Sequence, residues 1–153
     1  MTASPAPSGG KPPVNVDVRW TGGTTYEGGR PDRPKVSMDT SGKTGPGPVE
    51  TLLLALTTCT SEDILGILEK RRTPVSSLRI EAQGLRANAV PARLVSVALT
   101  YHIEGEGVEP EQAVRAVDLA VNKYCSVRSS LDPAIRIEMN VIVNGERARG
   151  LEG

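Results

Sequence analysis

The chain has no phenylalanine, one tryptophan, three tyrosines, one histidine and two cysteines among its 153 residues. Each scarcity excludes something. Four rings scattered at Trp20, Tyr26, Tyr101 and Tyr124 make a poor platform for stacking bases. Eighteen basic side chains balance eighteen acidic ones, which leaves no net field to draw a phosphate backbone or an anionic membrane. Neither nucleic acid nor membrane is therefore expected as a partner. No apolar run reaches the ~20 residues of a bilayer span, and no basic-then-apolar leader is visible at the start. A cytoplasmic protein is expected. Cys59, Cys125 and His102 are the only soft ligands, without C-x-x-C or H-x-x-x-H spacing, so no metal site and no cofactor is expected.

What is present suits one domain of ordinary size, one that removes roughly 70% of its unfolded surface from water. Residues 1–13, rich in Pro, Ser, Ala and Gly, bury too little to offset ordering and read as a disordered tail. Residues 14–145 read as a single domain and 146–153 as a flexible C-terminal tail. Val14, Val16, Val18 and Trp20 alternate with polar residues, the pattern of a half-buried strand. Thr21-Gly22-Gly23 signals a turn, with Thr24 to Glu27 returning and Lys35 to Asp39 as a short third strand.

The segment from Gly45 to Arg72, GPGPVETLLLALTTCTSEDILGILEKRR, is the most informative. Gly47 suits an N-cap, Pro48 the first helical position, and Glu50 the first turn, where the helix dipole favours an acid. Leu52 to Leu56 leave no polar face, so this part of the helix is expected to be buried all round. In so small a chain that needs a sheet on one side and a second layer on the other, and a partner subunit is a natural source of it. Lys70-Arg71-Arg72 suits the helix C-terminus, and Thr73-Pro74 ends it.

Leu78 to Ala82 and Arg93 to Ile103 read as strands. In the second, Val95, Val97, Leu99, Tyr101 and Ile103 share one face, and Ser96, Thr100 and His102 the other. His102 thus reads as a surface strand residue. Pro110 opens a second helix with Val114, Val117, Val121 and Tyr124 at helical spacing; Cys125 falls at its end. Ile135 to Val143 alternate as a last strand. Three strands, a helix, two strands, a helix and a strand make an α+β fold with an antiparallel or mixed sheet.

A thiol becomes reactive only as a thiolate, which needs positive charge, a helix N-terminus or hydrogen-bond donors beside it. Thr57, Thr58, Thr60 and Ser61 flank Cys59. Their hydroxyls can donate to it or bond back to their own helix. Taken alone, a cysteine on a buried helix is ordinarily a small core residue.

The run GPGPVETLLLALTTCTSEDIL resembles the motif that opens the central helix of the OsmC/Ohr family (osmotically induced protein C and organic hydroperoxide resistance protein). The later KYCSV, residues 123–127, is similar to that family's second cysteine motif. The order of elements and the 66-residue separation of the cysteines agree as well. The resemblance covers roughly residues 14 to 143. It implies an intertwined homodimer whose sheets wrap around central helices, with active sites at the subunit interface. It also implies a thiol peroxidase needing neither metal nor haem. Cys59 would attack an organic hydroperoxide and become a sulfenic acid; Cys125 would condense with it to a disulfide. A dithiol reductant would then restore both thiols.

In the best-studied branch an Arg and a Glu activate the reacting cysteine, and Glu50 matches that acid. Nine residues separate Glu50 from Cys59, which puts them ~180° apart on one straight helix. Either the helix starts later, or Glu50 reaches Cys59 from the other subunit, or Glu50 serves only the helix dipole. The branch's Arg follows a Gly-Gly turn, where this chain has Thr24. Arg19, Arg30, Arg33 and Arg128 are the remaining guanidinium candidates, with Arg30 preferred. The missing Arg keeps a second expectation open, a non-enzymatic dimer that binds a small apolar or thiol ligand.

Overall fold

The computed structural model describes residues 10–148 and 151–152. Its close contacts divide the chain into two compact units, one up to Thr51 and one from Leu52 onward. Residues 1–9 of the expected N-terminal tail lie outside the described residues.

The first unit is an antiparallel sheet of β1 (Asp17–Gly22), β2 (Thr25–Gly29) and β3 (Val36–Asp39), in that order. Gly22 and Gly23 join β1 to β2 with φ of +114° and +56°, values that glycine adopts without cost. Val14, Val16, Val18 and Trp20 are all exposed, so the expected half-burial of this strand is not met within the chain. The loop after β3 is organised by Asp39, buried to 2% exposure. One carboxylate oxygen accepts from the Thr24 hydroxyl at 2.6 Å and from the Ser41 N–H and hydroxyl, each at 2.8 Å. The other accepts from the Thr44 N–H at 3.0 Å and hydroxyl at 2.9 Å.

Helix α1 (Pro48–Lys70) begins in the first unit and has its body in the second. Thr51 N–H donates to Gly47 O as the first helical bond, and Gly47 N–H donates to Glu50 Oε1 at 2.9 Å, so Glu50 supplies the acidic half of a capping box. At the other end Arg72 turns left-handed (φ +62°), Thr73 N–H donates to Leu68 O, and Pro74 bars continuation. The helix is not buried all round. Leu56, Thr60, Ile64 and Leu68 form one buried row, while Leu52, Leu54 and Leu65 are 38–53% exposed. One chain supplies one packing layer, so the opposite apolar face is left open. By length and mean composition α1 is long and apolar enough to cross a bilayer, although it holds no unbroken apolar run of ~20 residues.

The second unit carries a mixed sheet in the order β4 (Ser77–Arg86), β5 (Leu94–Glu104), β6 (Arg136–Val143) and β7 (Glu146–Arg147), with β8 (Leu151–Glu152) also pairing with β6. β4 and β5 are antiparallel; β5 and β6 are parallel, joined by a crossover through α2 (Pro110–Leu119). The stretch expected to be a tail from residue 146 thus adds two short strands. Val97, Leu99, Tyr101 and Ile103 of β5 and Ile137, Met139, Val141 and Val143 of β6 form the buried face. Val95 does not join it. A register shift at Leu85/Arg86 turns Leu94 inward and leaves Val95 exposed.

Candidate functional site

Two local features bring the cysteines together. After α2 the chain widens into a π turn, Ala120–Tyr124, whose last bond runs from Cys125 N–H to Ala120 O at 2.9 Å. Such turns often mark functional positions. Cys125 then caps a further helix, α3 (Ser126–Ser130), which the sequence did not disclose.

The first N–H groups of any helix lack partners within it. In α3, Ser129 N–H reaches Cys125 O at 3.0 Å, and the three before it turn to sulfur. Arg128 N–H donates to Cys125 Sγ at 3.2 Å. The N–H groups of Val127 and Ser126 act on Cys59, and the Ser126 hydroxyl lies 3.8 Å from Cys59 Sγ. Cys59 and Cys125 are near enough for each thiol to shift the other's pKa, and both are free.

The two sulfurs are driven in opposite directions. Burial, the largest influence on each, disfavours its charge. At Cys59 that is outweighed by the Val127 N–H, the Cys125 thiol and the Ser126 hydroxyl and N–H, and its pKa falls below that of an ordinary thiol. At Cys125 burial prevails: the Arg128 N–H helps, but a neighbouring Cys59 anion raises the pKa further. Cys59 is half-buried and Cys125 buried. Of the pair, Cys59, the more accessible sulfur, is therefore the one that gives up its proton first, and Cys125 the one that keeps its proton longer.

The flanking hydroxyls take no part. Thr57 and Thr58 donate to Leu54 O, and Thr60 and Ser61 to Thr57 O, at 2.7–3.0 Å. Thr60 also meets the Tyr101 hydroxyl at 3.0 Å inside the core, where burial first of all pushes the Tyr101 pKa up to about 12. Ser126 and the Val127 amide were missed in the sequence because they act through a five-residue helix. The available signal was a Ser directly after Cys125.

The other expected residues lie elsewhere. Glu50 caps α1, and since α1 starts at Pro48 the late-start route for Glu50 is closed. Arg30 lies in the exposed loop between β2 and β3 of the first unit, its carbonyl accepting from the Lys35 ammonium. Arg128 donates its guanidinium to Asp132 O at 3.1 Å and Ile135 O at 2.9 Å. His102, read as a surface residue, meets Glu81 across the strands at 2.6 Å. No group of metal-ligating side chains occurs among the described residues.

The chain is similar to known proteins along most of its length. A family model described as OsmC-like protein matches residues 40–140. Protein YhfA of Escherichia coli strain K12 is 31% identical over 125 residues, 81% of this chain and 93% of the relative. A hypothetical protein from Aquifex aeolicus VF5 superposes with a TM-score of 0.78 at 24% identity, over 88% of this chain and 98% of its own. The organic hydroperoxide resistance protein OhrB of Bacillus subtilis superposes with a TM-score of 0.58 at 13% identity, over 84% of this chain and 98% of its own. The last two likenesses are of fold.

Proposed function

The chain belongs to the OsmC-like protein family, and from that premise we propose that it reduces organic hydroperoxides in a stress-related role. The mutual influence of two neighbouring thiols, with Cys59 the more acidic and Ser126 at the head of α3 beside it, carries the proposal. The Cys59 thiolate attacks the distal peroxide oxygen, the O–O bond breaks, and the alcohol leaves with a proton. Cys59 is then a sulfenic acid. Cys125 attacks that sulfur, a disulfide forms and water departs. A dithiol restores both thiols by exchange. The raised pKa of Cys125 suits the order of events, since it keeps the second thiol protonated until the first has reacted.

Peptide N–H groups and a hydroxyl at the head of α3 already support the thiolate within one chain, so a guanidinium adds to that support and is not its only source. In the proposed assembly two copies pair through the open face of α1, where Leu52, Leu54 and Leu65 are exposed. Each such side chain gains ~1.5–3 kcal/mol when fully covered. Glu50 joins the site from the second copy as the orienting acid, and Arg30 is the proposed guanidinium. The setting is the cytoplasm, where reductants regenerate dithiols.

Titration of the reduced protein with cumene hydroperoxide tests this. Both thiols are expected to disappear at one equivalent of peroxide. Cys59→Ser abolishes the reaction, and Cys125→Ser leaves a sulfenic acid that dimedone traps. Thiols that stay intact in a folded protein would overturn the peroxidase and favour a scaffold that binds a small ligand.

A further inference from the structure

Cys125 has a second neighbourhood, away from Cys59. It forms part of the wall of a cleft of about 360 Å³, with Val121, Lys123, Arg128, Ser129 and Leu131. That volume falls in the ~300–1,000 Å³ range of small-molecule sites. Cys59 is not in the wall. The lining holds two cations and no acid. Lys123 Nζ rests 5.4 Å from the Tyr124 ring centroid, and the Arg128 guanidinium is held by two neutral carbonyls. Among the described residues neither forms an ion pair; the nearby Asp132 is taken by Arg93. Two positive charges without counterions beside a redox sulfur are a receptor for a negatively charged thiol.

We propose that this cleft is where the reductant docks, that two molecules of a small thiol bearing carboxylates act there in place of one dithiol, and that the first attacks Cys125 rather than Cys59. The proposal rests on the disulfide chemistry above and names its missing partner. The incoming thiolate bonds to Cys125 Sγ, the Cys59–Cys125 bond breaks, and its electron pair leaves on Cys59 as a thiolate. A second thiolate attacks the reductant's sulfur in the mixed disulfide. That frees Cys125, which takes a proton from water, and releases the oxidised reductant. Two thiols are oxidised and one protein disulfide is reduced. Cys59 is the better leaving group because its pKa is the lower, and Lys123 and Arg128 hold the carboxylates meanwhile.

Two measurements on the full chain test this. S-methylglutathione, which carries the carboxylates but cannot exchange, is titrated into the reduced protein and followed by NMR. Binding that fades with salt, and that is up to about fivefold weaker in Lys123→Gln, is expected, the size of an exposed ion pair. Separately, the disulfide is made with diamide, which needs no peroxidase activity, and offered glutathione or neutral 2-mercaptoethanol. Glutathione is expected to react faster relative to its thiolate fraction, lose that advantage in Lys123→Gln, and appear on Cys125 by tandem mass spectrometry. Equal binding of the dimethyl ester, indifference to Lys123→Gln, or a mixed disulfide on Cys59 would overturn the proposal. Charge-dependent binding in a chain that ignores hydroperoxides would uphold the cleft while the peroxidase failed.

Discussion

Thr60 Oγ1 and the Tyr101 hydroxyl lie 3.0 Å apart, both side chains fully buried. Thr60 is the residue after Cys59 on α1, and Tyr101 stands in the middle of β5. The bond fixes the rotation of the helix against the sheet, and that rotation turns Cys59 toward Ser126. Tyr101→Phe removes one partner and leaves Thr60 its bond to Thr57 O. The expected cost is ~0.5–1.5 kcal/mol in urea unfolding. Tyr101→Phe combined with Thr60→Val is expected to cost less than the sum of the two singles, because they share one interaction. Additive losses would show that the bond holds nothing.

The sequence disclosed the elements that repeat a pattern and hid those that do not. Gly47, Pro48 and Glu50 announced the start of α1, and Thr73-Pro74 its end, because capping is local chemistry. Alternation disclosed β5 and β6, though not that they run parallel, which depends on the crossover between them. α3 has five residues, too few for a period, so the amides that act on Cys59 were invisible. Val95 was placed on the wrong face because it is the extra, unpaired residue where β5 bulges opposite Leu85 and Arg86, which breaks the alternation. The hydroxyls around Cys59 looked like donors to sulfur, but a helix offers each of them a nearer carbonyl. The exposed leucines of α1 were the informative failure: a stripe with no polar face calls for a layer that one chain does not contain.

Asp39 gives the first unit a pH dependence. Hydrogen bonds from the Thr24 and Ser41 hydroxyls, then the Ser41 N–H, hold its carboxyl well below the usual carboxylate range against the opposing effect of burial; Thr44 adds to them. A group whose pKa falls on folding contributes stability above its unfolded pKa of ~3.9 and loses it as pH drops toward the folded value. Acid unfolding of the wild type is therefore expected to steepen below about pH 4. Asp39→Asn is expected to be less stable at neutral pH and to have a shallower acid slope, as measured by urea midpoints from pH 7 down to 3. Equal slopes in the two proteins would mean that the carboxylate is as well solvated unfolded as folded.

Ser126 offers the most direct check on the site itself. The Cys59 pKa lies below that of an ordinary thiol because α3 presents N–H groups and this hydroxyl, while Cys125 lies above because burial prevails there. Nucleophilicity follows the thiolate fraction, so iodoacetamide is expected to label Cys59 at lower pH than Cys125, with peptide mass spectrometry assigning the sites. Ser126→Ala removes the hydroxyl but keeps both amides, so the Cys59 midpoint should move upward part of the way toward an ordinary thiol. Ser126→Thr, which keeps a hydroxyl, should restore it. A Cys59 profile unmoved by Ser126→Ala would leave the peptide N–H groups as the whole source of the acidity. Profiles for Cys59 and Cys125 in reversed order would remove the thiolate on which the hydroperoxide chemistry depends.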